Sequence, residues 1–335
     1  MKLVLGFSGG VDSSLSVLLL RRAGWEVTGL YLDNTDAAAR QFAQDAAAQL
    51  SLPLRVLDVH DALEEKVCAP FCAAYLTGET PNPCILCNPA LKFRALLEEA
   101  DRLGAEAIAT GHYARAEGGA LYKGRPSNDQ SYMLCRLTRG QLARLVLPLG
   151  GYEKTQVRAM AEEAGLAAAH KSDSMEICFI PDKDYVGWLS RRAELPGAGD
   201  FVFHGRTIGR HEGIVRYTVG QRRSGLHEGR KLYISRIDAA SNTVELALWE
   251  ELFKREVEAR GFNWLVDEPT EPLRASVRVR HTKWETPPCT AYPLGGGRVR
   301  IVCDEPVRAP APGQSAVLYD GERVLGGGFI CGSKE

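Results

Sequence analysis

The sequence predicts an α/β protein with three parts. An N-terminal parallel-sheet domain carries a phosphate loop, a small central α+β domain follows, and a β-barrel closes the chain. Three observations predict this. Strand-like and helix-like segments alternate through the first half of the chain. A glycine-rich turn joins the first strand to the first helix. After about residue 185, Gly, Pro and Arg rise, long helices stop, and short β-type runs take over.

The elements are justified in order. Residues 2–7 (KLVLGF) read as a short buried strand. Residues 11–23 read as a helix with Leu15, Leu18 and Leu19 on one face and Gly24 just past its end. Residues 25–32 form a second strand, the Ala-rich stretch 36–50 a helix, and 54–59 a third strand. This alternation requires right-handed crossovers and hence a parallel sheet. A helix over 91–103, a strand at Ala107-Ile108-Ala109, the turn Thr110-Gly111-His112 and a helix over 153–164 continue the pattern. Beyond it, residues 201–234 carry short strands between glycines, and 275–281, 298–303, 315–319 and 324–330 read as strands of a small barrel or sandwich. The expected domains are 1–190, 191–255 and 256–335, with Leu195-Pro196-Gly197-Ala198-Gly199 as a linker or turn.

The chain has 335 residues, 41 Lys and Arg against 42 Asp and Glu, and a net charge of −1, which excludes a chain that is basic throughout. A local basic face still suffices for nucleic acid. No apolar run approaches the roughly 18 residues of a membrane span, and the early Ser8-Gly9-Gly10 interrupts any signal-peptide core. A cytosolic location without a membrane partner is therefore expected. Nine cysteines are too few for a disulfide scaffold, and the number is odd.

The turn Ser8-Gly9-Gly10-Val11-Asp12-Ser13-Ser14 has the chemistry of an anion site. Two glycines let the backbone turn tightly and approach a ligand. The following helix aims unpaired N–H groups and its positive end at the loop, and Ser8, Ser13 and Ser14 add hydroxyl donors. The lysine of a G-x-x-x-x-G-K-[ST] loop is missing. The full string S-G-G-V-D-S after an N-terminal strand instead resembles the PP-loop of the ATP pyrophosphatase superfamily, with its adenine nucleotide α-hydrolase-like fold. Those enzymes cleave ATP to AMP and pyrophosphate while adenylating a carbonyl-type oxygen.

A single C-x-x-C, Cys84 to Cys87, is compatible with half a zinc site, a redox pair or cluster ligands. Cys68, Cys72, Cys135, Cys289, Cys303 and Cys331 read as packing thiols. Several strings occur in order: the PP-loop, T-P-N-P-C-I-L-C-N from 80 with L-K-F from 91, T-G-H-Y-A-R from 110, and D-Q-S-Y from 129. S-D-S-M-E-I-C-F-I-P from 172, Y-T-V-G-Q-R-R from 217, P-G-Q-S from 312 and Gly326-Gly327-Gly328 follow. Together they resemble the bacterial tRNA-specific 2-thiouridylases, which place sulfur on C2 of the wobble uridine (position 34), and the resemblance covers nearly the whole chain.

That resemblance implies an ATP site at Gly6, Phe7, Ser8, Gly9, Gly10, Val11, Asp12 and Ser13, with Leu32 and Gly111. It implies Cys87 as nucleophile or sulfur-handling partner and Cys178 as the persulfide carrier. Asn82, Pro83 and Cys84 would lie against the target base, and His112, Asn128, Asp129, Gln130, Arg278, Val279 and Gln314 would contact tRNA. Some members carry aspartate where this chain has Cys84, and lysine where it has Asn128. The chain is also somewhat short for the family.

The uridine C2 carbonyl has no leaving group, and adenylation supplies one. ATP with Mg²⁺ is expected as cofactor, the cation neutralising the departing pyrophosphate. Two sulfur routes are open. In one, an outside donor loads Cys178 and Cys87 closes a disulfide as sulfide is delivered. In the other, Cys84, Cys87 and Cys178 hold a [4Fe–4S] cluster with one open iron that binds hydrosulfide, so that inorganic sulfide can be the donor in place of a cysteine desulfurase or relay protein.

Residues 206–231 carry seven arginines and lysines against two acids, including Arg222 and Arg223, with His211, Tyr217 and His227 interleaved; Arg278, Arg280 and Lys283 with Trp284 form a second cluster. Both are expected tRNA contacts. The competing readings are another PP-loop thiolase or ligase, such as a 4-thiouridine synthetase, and a non-catalytic tRNA-binding or sulfur-carrier protein.

Overall fold

The computed structural model describes residues 1–34, 36–171, 177–223, 230–281 and 286–331. The chain forms two compact units. One comprises Met1–Val67, Cys84–Met175 and Glu322–Val324; the other comprises Cys68–Pro83, Glu176–Gly321 and Leu325–Glu335. Among the described residues no helix is long and apolar enough to cross a membrane.

The strands of the first unit are β1 (Lys2–Gly6), β2 (Glu26–Asp33), β3 (Leu54–Asp58), β4 (Ala107–Ala109), β5 (Ala114–Glu117), β6 (Ala120–Lys123) and β7 (Leu145–Val146). Five of them make a parallel sheet in the order β3–β2–β1–β4–β7. Leu3, Val4 and Leu5 are all buried because both faces of the central strand are covered, which is why this strand reads as a continuous apolar run. β5 and β6 form a hairpin whose Tyr122 pairs with Arg323.

The sheet order reverses between β1 and β4. In open α/β sheets the crevice at the carboxyl ends of such a pair is where ligands sit. The turn after β1 is the phosphate loop, and the turn after β4 is Thr110-Gly111-His112. Helix Val11–Arg22 packs against β2, helix Lys154–Glu163 and the turn Ala167–His170. Its buried side is Val11, Leu15, Val17 and Leu20 with Ser13, Ser14 and Ser16, whereas Leu18 and Leu19 are only partly buried. The expected single leucine face is thereby corrected. A helix flanked by structure on two sides needs small hydroxyl side chains where neighbours press close. The helix expected over 91–103 runs from Phe93 to Leu103, preceded by a wide turn at Asn88–Lys92 that contains Pro89. Pro has no N–H for a regular α turn.

In the second unit, β8 (Gly199–Phe203), β9 (Arg206–His211), β10 (Arg222–Arg223), β11 (Leu232–Asp238) and β12 (Thr243–Ala247) form a sheet in the order β10–β11–β12–β8–β9. The strands β13 (Phe253–Trp264), β14 (Leu273–Arg278), β15 (Pro288–Gly295), β16 (Arg298–Arg308), β17 (Ser315–Asp320) and β18 (Arg323–Ile330) follow. They close into a barrel in the order β13–β16–β15–β14–β17–β18, with β18 returning to β13. Val257, Ala259, Val277, Cys289, Ala291, Val299, Ile301 and Leu318 fill it. This is the parallel-sheet domain, central mixed domain and terminal barrel that the sequence predicts.

Candidate active site

Every part of the phosphate loop has a local cause. Gly9 adopts φ +75°, and a Cβ there would stand 2.8 Å from the Ala43 Cα. Only glycine satisfies both the left-handed backbone and that close approach. Gly10 is the N-cap of helix Val11–Arg22 and provides no side-chain cap. The first N–H groups of the helix have no partner one turn back, so an anion at this end meets donors and the positive end of the dipole together. Gly111 packs on the same turn: a Cβ there would lie 3.1 Å from the Asp12 Cβ and 3.3 Å from the Ser13 N.

The serines act differently from expectation. Ser13 and Ser14 are buried. The Ser13 hydroxyl donates to the Gly10 carbonyl at 3.1 Å, and the Ser14 hydroxyl to the Gly9 carbonyl at 3.2 Å. Both brace the loop from beneath, and only Ser8 is exposed as a hydroxyl donor. Phe7 anchors the loop in the core. Leu32, half-buried, precedes Asp33, whose carboxylate accepts from Arg40 at 2.6 Å.

Two residues that motif reading missed complete this site. The Lys154 ammonium donates to both Asp12 oxygens at 2.7 Å, and the Tyr113 hydroxyl donates to the Asp12 Oδ1 at 2.6 Å. A carboxylate at the entrance to an anion site would repel its ligand, and here it is neutralised. The sequence held one signal. Lys154 is the first residue of its helix, where a cation opposes the dipole, so its position answers to something other than helix stability.

The other predicted contacts of this unit separate. The His112 Nδ1 lies 2.7 Å from the Thr110 hydroxyl, and its ring stacks on Phe93 at 6.0 Å. Burial, with the charge of Lys92 second, holds the imidazole well below the usual histidine range. A histidine kept neutral contributes stability that is present above its unfolded value near 6.5 and is lost as pH falls below it. His112→Gln is expected to flatten this loss. Urea denaturation of both proteins across this range checks it, and parallel curves would refute it.

Asp129 is buried and accepts from the Gly124 and Ser131 N–H groups and the Ser131 hydroxyl, so it shapes the turn. Gln130 uses its amide oxygen on the Tyr113 N–H at 2.9 Å. Asn128 accepts from Ser127 at 2.6 Å. Cys84 is exposed and Cys87 half-buried on the short helix Pro83–Cys87.

Cys178 belongs to the second unit and is exposed, on a turn where Phe179 packs against Phe71 and Trp188 and Ile180 is buried. Residues 172–176 of its motif lie outside the described residues. Just before Asn82 and Pro83, Thr80 is clamped: its N–H donates to the Pro312 carbonyl at 2.8 Å, and the Gln314 amide donates to the Thr80 carbonyl at 2.7 Å. Gln314 thus holds the backbone leading to the Asn82-Pro83 pair.

Strand alternation splits the arginine pair. Arg222 is exposed, whereas Arg223 turns inward over the rings of Phe201 and Tyr217. Arg280 is spent on the Val219 and Ala309 carbonyls. Val279 packs against the barrel core, and Arg278 is half-buried at the end of β14. His227, Lys283 and Trp284 lie outside the described residues.

None of the nine cysteines is disulfide-bonded. Cys68, Cys72, Cys135, Cys289 and Cys303 are buried, and Cys331 is half-buried. Burial pushes Cys289 up to about 12 and Cys303 to about 11, far from a reactive thiolate. Among the described residues, no group of three His, Cys, Asp or Glu is arranged to hold a metal ion. Cys84 and Cys87 belong to the first unit and Cys178 to the second.

Three families match the chain along its length. The tRNA methyl transferase HUP domain matches residues 1–182, the tRNA methyl transferase PRC-barrel domain 194–247, and the aminomethyltransferase beta-barrel domain 254–330. The tRNA-specific 2-thiouridylase MnmA of Syntrophotalea carbinolica is 44% identical over 98% of both chains. That of Acidithiobacillus ferrooxidans is 41% identical over 99% of both. That of Clostridium acetobutylicum is 39% identical over 98% of this chain and 99% of its own.

Proposed function

The chain belongs to the tRNA-specific 2-thiouridylase family, and from that premise we propose that it thiolates C2 of the wobble uridine of tRNA at the expense of ATP. The observation that supports this most is the near-full-length identity to relatives of that name. The helix beside Gly9 without a side-chain cap and the neutralised Asp12 support a reading of this loop as the pyrophosphate site.

ATP binds with its phosphates on the N–H groups of the turn from Ser8 to Ser13. Lys154 and Tyr113 keep Asp12 oriented and its charge compensated. Mg²⁺ entering with the nucleotide supplies further charge neutralisation when bound. The uridine O2 attacks the α-phosphorus, the bond to the β-phosphate oxygen breaks, and pyrophosphate leaves.

Sulfur follows the persulfide route. An outside donor, a cysteine desulfurase or relay protein, loads Cys178. The Cys87 thiolate attacks the Cys178 sulfur of that persulfide, forming a disulfide and releasing hydrosulfide. Hydrosulfide attacks C2, and AMP leaves with its oxygen. An external dithiol then reduces the disulfide. The exposure of Cys178 suits loading by another protein, and a tRNA substrate fits a cytosolic location.

The test is nucleoside mass analysis of a wobble-uridine tRNA incubated with the protein, ATP and a persulfide donor. One 2-thiouridine and one AMP should appear per turnover. Sulfur at C4, or AMP formation indifferent to tRNA, would refute the proposal in favour of a 4-thiouridine synthetase or another ligase.

A further inference from the structure

An exposed aromatic cluster runs along one face of the second unit. Trp249 is 43% exposed and Phe253 37% exposed, large apolar areas to leave in water. Their rings lie 6.0 Å apart, and Tyr233 meets Trp249 edge-on at 5.2 Å. Two arginines flank them. Arg222 lies opposite Tyr233 in the β10–β11 register, on the same face and exposed. Arg308 lies opposite Phe253 in the β13–β16 register, with its guanidinium 4.1 Å from the Trp249 ring centre. The Gly220 carbonyl accepts from the Arg308 Nη2 at 3.2 Å, fixing the plane that supports Trp249. Of the two acids that follow Trp249, Glu250 is exposed and Glu251 is engaged by His204 and the Leu248 N–H.

Two of the three rings are exposed and the central one carries an arginine on its face, a combination that favours a ligand both aromatic and anionic. Rings interleaved with arginines match an unpaired nucleic-acid strand, whose bases stack and whose phosphates take the charge. We propose that Trp249, framed by Tyr233 and Phe253 and flanked by Arg222 and Arg308, is a stacking platform for an unpaired nucleotide of the tRNA substrate. The proposal rests on the 2-thiouridylase reading and adds a contact outside the reacting centre.

The test is binding of a wobble-uridine tRNA transcript to the full chain over a range of salt. Trp249→Ala should weaken binding about tenfold with an unchanged salt slope, because stacking releases no counterions. Arg222→Gln should weaken binding and lower the slope by about one. Trp249→Phe should restore most of the affinity, which separates stacking from mere support of the fold. Wild-type affinity and slope in both Trp249→Ala and Arg222→Gln would overturn the platform while leaving the reaction intact. A wild-type protein that fails to bind tRNA would overturn the 2-thiouridylase reading itself, and the platform with it.

Discussion

Lys154→Met is expected to lower tRNA-dependent ATP–pyrophosphate exchange by roughly a hundredfold, the scale on which removal of one preorganised charged group is felt. The reason is the placement of Asp12. Its carboxylate stands in the first turn of the phosphate-loop helix, and Lys154 contacts both of its oxygens. Without the ammonium, a negative charge faces the incoming triphosphate and its repulsion falls on both binding and turnover. Lys154→Arg should recover part of the loss, since it restores charge but not the single-point geometry. Tyr113→Phe, which removes one neutral donor at 2.6 Å, should cost far less. Exchange in Lys154→Met within a factor of three of wild type would show that Asp12 needs no compensation.

Cys178→Ser and Cys87→Ser are each expected to remove 2-thiouridine formation, to below about a thousandth of wild type, because a hydroxyl neither carries persulfide sulfur nor displaces it. Both variants should keep ATP–pyrophosphate exchange, since the phosphate loop involves neither thiol. Cys84→Ser distinguishes the sulfur routes. In the persulfide route it retains thiolation with a persulfide donor. In a three-thiolate cluster it loses both thiolation and bound iron. Thiolation abolished in Cys84→Ser, together with stoichiometric iron in the wild type, would overturn the persulfide route.

The parallel sheet was legible because its strands are short apolar runs separated by helices with clear ends, Gly24 among them. The barrel was half legible. Its long first strand, Phe253–Trp264, reads F-K-R-E-V-E-A-R-G-F-N-W and hides its inward residues, Val257 and Ala259, among charges. In the site, the loop glycines announced themselves, because backbone geometry restricts which residue fits. Lys154 did not, since its partner lies 142 positions away and only the fold brings them together. The same limit explains the arginines. Composition counts Arg222 and Arg223 alike, but the period of two in a strand sends one to solvent and the other onto the rings of Phe201 and Tyr217.

The clamp on Thr80 has a consequence for biosynthesis. The carbonyl that precedes the Asn82-Pro83 pair is held by an amide 234 residues further along the chain. A ribosome must therefore make most of the protein after Thr80 before that stretch can be fixed. Nascent chains that already contain the whole phosphate loop still lack the hold on the Asn82-Pro83 segment. Fragments ending before Pro312 bear the same defect, so truncated products of interrupted translation are poorly equipped to modify tRNA, even where their nucleotide domain folds.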